Sequence, residues 1–126
     1  MSRLQIDRRR QAHDFGIKAE WAAILFLRLK GYRILASRYR VRGGEIDIIA
    51  GKAKTIAFVE VKFRPTLEEA ACSIDAGKRR RLGKATRVWL AAHPGAARLC
   101  LRGDAIFLAP WRWPRHEIAA FELDCG

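Results

Sequence analysis

A chain of 126 residues, half of them hydrophobic and 30 % charged, has room for one compact domain with a core, and excludes both a disordered chain and two ordinary domains. Its 25 lysines and arginines against 13 acids give a net charge of +12, which favours a polyanionic partner, nucleic acid first and an anionic membrane surface second. The longest uncharged apolar run, WAAILFL at 21–27, is too short to span a bilayer, so no membrane insertion is expected.

Residues 1–13 carry Arg3, Arg8, Arg9 and Arg10 with little apolar pattern and read as a mobile basic arm, leaving 14–126 as a single domain. They show no apolar stretch followed by a small-residue cleavage site, so a signal peptide is not expected. From about Phe15 to Lys30 the spacing of Ile17, Trp21, Ile24, Leu25 and Leu27 predicts a helix with one broad apolar face, stopped by Gly31. Three strands follow at 32–41, 44–50 and 55–64, separated by Gly43-Gly44 and by a short polar turn, and Pro65 ends the third. Short connections make them an antiparallel meander. After a polar link, 74–92 reads as a second helix, broken by His93-Pro94-Gly95. A fourth strand spans 97–110 and a short final element carries Ile118 and Phe121. The order α-β-β-β-α-β-β/α describes an α/β domain, a mixed sheet flanked by helices. Cys72, Cys100 and Cys125 are widely spaced with no C-x-x-C pair, which points to reduced thiols in a cytoplasm, and Cys100 is expected to be buried. The three histidines stand singly and suggest no catalytic or metal role.

Side chains alternate across a strand. Glu45, Asp47 and Ile49 therefore share one face of the second strand, opposite Ile46, Ile48 and Ala50. In the third strand Ile56, Phe58, Glu60 and Lys62 share a face. A hairpin about 52–54 brings Asp47 near Glu60, with Lys62 beside them. Two facing carboxylates repel unless something neutralises them, and an all-oxygen donor set points to a hard ion, Mg²⁺ or Mn²⁺. Glu20, on the apolar face of the first helix, adds a third carboxylate that a metal site would explain. An exposed amphipathic hairpin would show the same alternation, with Glu60 and Lys62 as ordinary surface residues.

The stretches GEIDIIA (44–50) and FVEVKFR (58–64), with Gly16, Glu20, Ala23, Leu27 and Gly31 in the first helix, Lys78, Arg81, Leu82 and Ala85 in the second, and Arg102 and Asp104 in the fourth strand, closely resemble the YraN-like family of bacterial proteins. Its members are predicted endonucleases, distantly similar to Holliday-junction resolvases, of the PD-(D/E)xK restriction-endonuclease-like fold. The resemblance implies that Asp47 is the motif aspartate, Glu60 the (D/E), Lys62 the motif lysine and Glu20 the helix glutamate of the metal site. It also implies branched or otherwise structured DNA as substrate, and a homodimer.

GKRRRLGKATR (77–87) sets Lys78, Arg79, Arg80, Arg81, Lys84 and Arg87 on one helix, and no acid occurs between Ala76 and Gly103. These residues, with Arg64 after the third strand, are candidate contacts to a nucleic-acid backbone, giving affinity without sequence readout. Trp111 and Trp113 have the chemistry to stack on bases, but the favoured expectation is packing against a helix or a neighbouring subunit. The reading is a metal-dependent endonuclease. The alternatives are a catalytically silent nucleic-acid-binding protein with a nuclease-like fold and a small RNA-binding protein.

Overall fold

The structure, a computed structural model, describes residues 3–73 and 76–123, with side chains from residue 16 onward other than that of residue 121. Helix α1 (Arg3–Leu29) is followed by strands β1 (Arg33–Val41), β2 (Gly44–Lys52) and β3 (Thr55–Phe63). Short helix α2 (Leu67–Ala71) and helix α3 (Ala76–Ala92) come next, then a 3₁₀ turn at Pro94–Arg98 and strands β4 (Cys100–Leu108) and β5 (Arg115–Phe121). The strands make one sheet in the order β1-β2-β3-β4-β5. The first three are antiparallel as expected, β4 runs parallel to β3, and β5 returns antiparallel to β4. A parallel neighbour needs a crossover, and the α2–α3 segment supplies it.

Helix α1 starts at Arg3, so residues 3–13, expected as a mobile arm, have helical backbone. The stretch holds no proline and is rich in Arg and Gln, both good helix formers. The helix ends as Gly31 implied. Gly31 has φ 92°, its N–H bonds to the Arg28 carbonyl and the Tyr32 N–H bonds to that of Leu27, a Schellman closure that satisfies two orphan acceptors. The buried stripe of α1 is Ala19, Ala23, Ile24 and Leu27, while Trp21 and Leu25 are exposed. Small alanines, not the large residues that dominate the sequence pattern, let the helix approach the sheet closely.

Helix α2 occupies what reads as a polar link. Thr66 caps it by accepting the Glu69 N–H at 3.2 Å, and the Thr-x-x-Glu spacing is the sequence signature of such a start. Cys100 is exposed rather than buried, because it opens β4 at the end of the sheet, where its N–H bonds to the Lys54 carbonyl.

The sheet separates two apolar layers. On one side Ala19, Ala23 and Leu27 of α1 pack on Ile48, Ala50, Ala57, Val59 and Val61. On the other, Leu82, Ala85 and Trp89 of α3 pack on Ile46, Ile49, Ile56, Phe58 and Phe107. Phe58 and Trp89 meet edge to face at 5.6 Å, a pairing that adds about 0.5–1.5 kcal/mol to burial alone. Ile46 sides with Ile49, not with Ile48, so the strict alternation expected along β2 breaks at Asp47. Helix α3 lies close to β2 at Gly44, where a Cβ would stand 2.7 Å from the Arg81 carbonyl oxygen and 2.8 Å from the Ala85 nitrogen. Both obstacles are backbone, so Gly44→Ala should force α3 off the sheet and destabilise by about 1–3 kcal/mol, read as a lower urea midpoint at unchanged m-value.

Candidate active site

The register of the β2–β3 ladder runs from Lys52↔Thr55 to Ile48↔Val59. Beyond that pair the side chain of Asp47 takes up the Val61 N–H, its Oδ2 accepting at 2.8 Å. On its other side β3 stays paired with β4 through Phe63↔Leu108. Strand β3 thus carries Glu60 and Lys62 into a cleft while one edge remains held. Between the pairs Ser37↔Ile48 and Tyr39↔Ile46, Arg38 has φ 51°, an uncommon conformation for a residue with a side chain.

A hollow of about 370 Å³ sits at this fork, and its lining includes Glu20, Glu45, Asp47, Glu60, Lys62 and Lys78. Glu60 and Lys62 are each 7 % exposed, which removes the exposed-hairpin reading of these two positions. Lys62 Nζ is 3.1 Å from Glu60 Oε1 and Lys78 Nζ is 3.8 Å from the same atom. Glu20 comes from α1, and its carboxylate is 3.3 Å from Arg38 Nε.

The electrostatics are those of crowded acids. The Asp47 carboxyl is pushed up to about 8, first by burial and next by the negative charge of Glu60, with the Val61 N–H opposing. Burial also raises Glu60, although Lys62 counters it and a hydrogen bond joins its carboxyl to that of Asp47. Glu20 is raised by burial too, against the pull of Arg38 and Arg40. At neutral pH the pair therefore holds a proton that a cation would displace.

Two facing carboxyls in a partly dry cleft fit a hard divalent cation whose remaining shell is water or phosphate oxygen. Among the described residues no three Asp, Glu, His or Cys side chains converge closely enough to cage a metal, and Glu20 engages Arg38. The protein donors facing one another are thus Asp47 and Glu60, with Glu20 at the same hollow.

Of the basic residues predicted to meet a polyanion, Arg64 and Lys78 line the cleft. Arg79, Arg80, Arg81, Lys84 and Arg87 are exposed along α3 outside it. Sequence reasoning missed Arg38, which no local pattern marks. It also missed a second polar centre across the sheet. There Asp104, fully buried, accepts from Arg102 Nε and Nη2 at 2.8 Å each, from His116 Nε2 at 2.8 Å and from the Ala119 N–H at 3.0 Å. Arg102 also reaches the Tyr32 hydroxyl at 2.6 Å. Lys30 Nζ lies 2.6 Å from His116 Nδ1. An ammonium only donates, so Nδ1 accepts and Nε2 carries the proton given to Asp104. Burial alone would raise Asp104, but the bonds from His116, Arg102 and Ala119 outweigh it and hold the carboxyl below its ordinary range.

Among the described residues no helix is long and apolar enough to cross a membrane. Residues 19–108 match the model of the uncharacterised protein family UPF0102, a span that contains every acid of the cleft. A UPF0102 protein of Methylocella silvestris is 62 % identical over 95 % of this chain and 97 % of its own length. One of Methylorubrum extorquens is 57 % identical over 93 % of this chain and 91 % of its own, and one of Bradyrhizobium diazoefficiens is 50 % identical over 85 % and 80 %. The chain belongs to the uncharacterised protein family UPF0102, the YraN-like group that its sequence resembles.

Proposed function

We propose that this protein is a metal-dependent endonuclease that hydrolyses phosphodiester bonds in structured or branched DNA. The observation that carries the reading is the cleft at the β2–β3 fork, where Asp47 and Glu60 are held against each other beside a buried Lys62. Nothing in folding calls for two carboxyls and an ammonium there, and each is costly to bury. Bound Mg²⁺ or Mn²⁺ would neutralise the carboxylates and polarise a phosphate. Asp47 and Glu60 would hold it, with Glu20 as the third carboxylate of the hollow.

Lys62 has its ammonium in the cleft, where it offsets charge that develops on the phosphoryl oxygens as water attacks. Lys78 and Arg64 place the scissile phosphate at the rim, and the exposed arginines of α3 hold the backbone on either side. A homodimer would present two such clefts to the two strands of a branch. The cytoplasm is the compartment where this substrate and reduced thiols coincide.

A second reading, a binding module without catalysis, is favoured by one observation, that Glu60 already has Lys62 and Lys78 against it. Linear, flapped and four-way DNA incubated with Mg²⁺, Mn²⁺ or EDTA separates the two. We expect metal-dependent cleavage of a branched or flapped substrate, reduced about 10²–10³-fold in Lys62→Met. Tight DNA binding by the parent chain with no cleavage in either metal would establish the binding module instead.

A further inference from the structure

Between β4 and β5 the chain reads Pro110-Trp111-Arg112-Trp113-Pro114. Trp111 is 102 % and Trp113 86 % exposed. The expected packing of these indoles against a helix is therefore not present. Trp111 also has φ 62°, in the left-handed region where glycine fits without strain. The backbone would be easier to form without the indole, so its presence calls for a use.

The surroundings say which use. An apolar hollow of about 450 Å³ opens beside the segment, walled by Ala22, Phe63, Leu108 and Pro114 and flanked by the cations Lys18 and Arg112. Phe63 and Ala19 line both this hollow and the acidic cleft, and Arg64 follows at the cleft rim. The acidic cleft and this hollow therefore adjoin through Ala19 and Phe63, with Arg64 at the one and Lys18, together with Arg112 and Pro114 of the tryptophan segment, at the other.

We propose that Trp111 and Trp113 form a stacking platform for unpaired bases of a nucleic-acid strand, with the strand's phosphates on Arg112 and Arg64 and its continuation entering the acidic cleft. Indole faces stack on any base, so the platform is indifferent to sequence. Arg112 stands between the two tryptophans in sequence, and its guanidinium suits the phosphates of a strand whose bases lie on the indoles. Bases inside a continuous duplex are already stacked on one another and are not free to use it. The substrate class is thereby narrowed to nucleic acid with a single-stranded stretch beside the scissile phosphate. This deepens the nuclease reading and rests on it for the fate of the strand, but not for the binding itself.

The test is fluorescence anisotropy in EDTA, with three probes of equal length: an oligothymidylate, the same backbone lacking its bases, and a blunt duplex. Trp111→Gly and Trp113→Ala should each weaken oligothymidylate binding about tenfold, with the base-free strand and the duplex changed by less than about twofold. Trp113→Phe should retain most of the affinity. Trp111→Gly relieves a strained φ and removes no buried contact, so its Tm should equal or exceed that of the parent, which guards against a folding artefact. Unchanged oligothymidylate affinity in both variants, or equal losses on the base-free strand, would overturn the platform. So would a dimer that falls apart in sedimentation velocity when both tryptophans are replaced while oligothymidylate affinity holds, since the indoles would then join two copies. Without metal, cleavage plays no part. A chain that binds oligothymidylate through its indoles but cuts nothing with Mg²⁺ or Mn²⁺ would refute the nuclease reading alone.

Discussion

At pH 8 the Asp47→Asn chain is expected to melt at a higher temperature than its parent and to lack the metal-dependent cleavage proposed for the parent. An aspartate in the unfolded chain titrates near 3.8, whereas folding pushes Asp47 up to about 8 by burial and by the charge of Glu60. Between those values the folded chain holds a proton that the unfolded chain has released, so stability falls as pH rises from about 4 to 8. Asparagine keeps an oxygen for the Val61 N–H and brings no charge. Half of the shift, allowing for a proton shared with Glu60, is worth about 3 kcal/mol, or roughly 10 °C for a chain of this size. Melts followed by circular dichroism should show the gap largest at pH 8 and several-fold smaller near pH 5. Millimolar Mg²⁺ should raise the Tm of the parent at pH 8 and leave that of Asp47→Asn in place. Equal melting of the two chains at pH 8 would mean that the carboxyls are not crowded, and would remove the physical basis for a metal there.

Asp104→Ala should have the opposite effect on stability, and a larger one. Asp104 has no exposed surface and takes four hydrogen bonds, from both arms of Arg102, from His116 and from the Ala119 N–H. Its removal strands a guanidinium, leaves a 2 % exposed imidazole without its acceptor and orphans a backbone donor of β5. Losing one partner of a buried ion pair costs about 3–5 kcal/mol, so a fall of roughly 10–15 °C in Tm is expected. The double variant Arg102→Met/Asp104→Leu should recover a good part of that loss, because it leaves no charge behind. Since Asp104 pairs across to Tyr32 through Arg102 and to Lys30 through His116, the network ties the end of α1 to β4 and β5. Unfolding in urea that leaves Asp104→Ala within about 1 kcal/mol of the parent would contradict this account.

Much of the frame was legible because it depends on local signals. Gly31, Gly43-Gly44 and Pro65 punctuate the chain, and the alternation around Glu60 and Lys62 marks β3 as a strand with charges on one face. Two acids of the cleft and its lysine could be named for the same reason, since Asp47, Glu60 and Lys62 fall on strands whose pairing follows from a short turn. What escaped depends on contacts between distant segments. Arg38 meets Glu20 only because β1 folds back over α1. His116 looks solitary in sequence and finds Asp104 only when β5 returns along β4. The buried face of α1 was misplaced because hydrophobicity favours Trp21 and Leu25, whereas close packing on the sheet selects Ala19 and Ala23. Helix α2 had a readable start, Thr66 with Glu69, but too few residues for a helical period to develop.

The two irregular registers of the sheet have a consequence for how copies of this chain behave in a crowded solution. One lies between Ile34 and Ala36 in the β1–β2 pair and the other between Gly103 and Ala105 in the β4–β5 pair. Both therefore involve the outermost strands, and each of those strands also holds a residue of positive φ, Arg38 in β1 and Ala119 in β5. A flat, regular outer strand is a template on which another chain can add. Here each outer strand is kinked, and β1 in addition sets exposed Arg33, Arg38 and Arg40 along its length. End-to-end growth of the sheet into aggregates is thus discouraged at both borders, and the regular, fully paired ladder is kept for β3 and β4, where the acidic cleft is anchored.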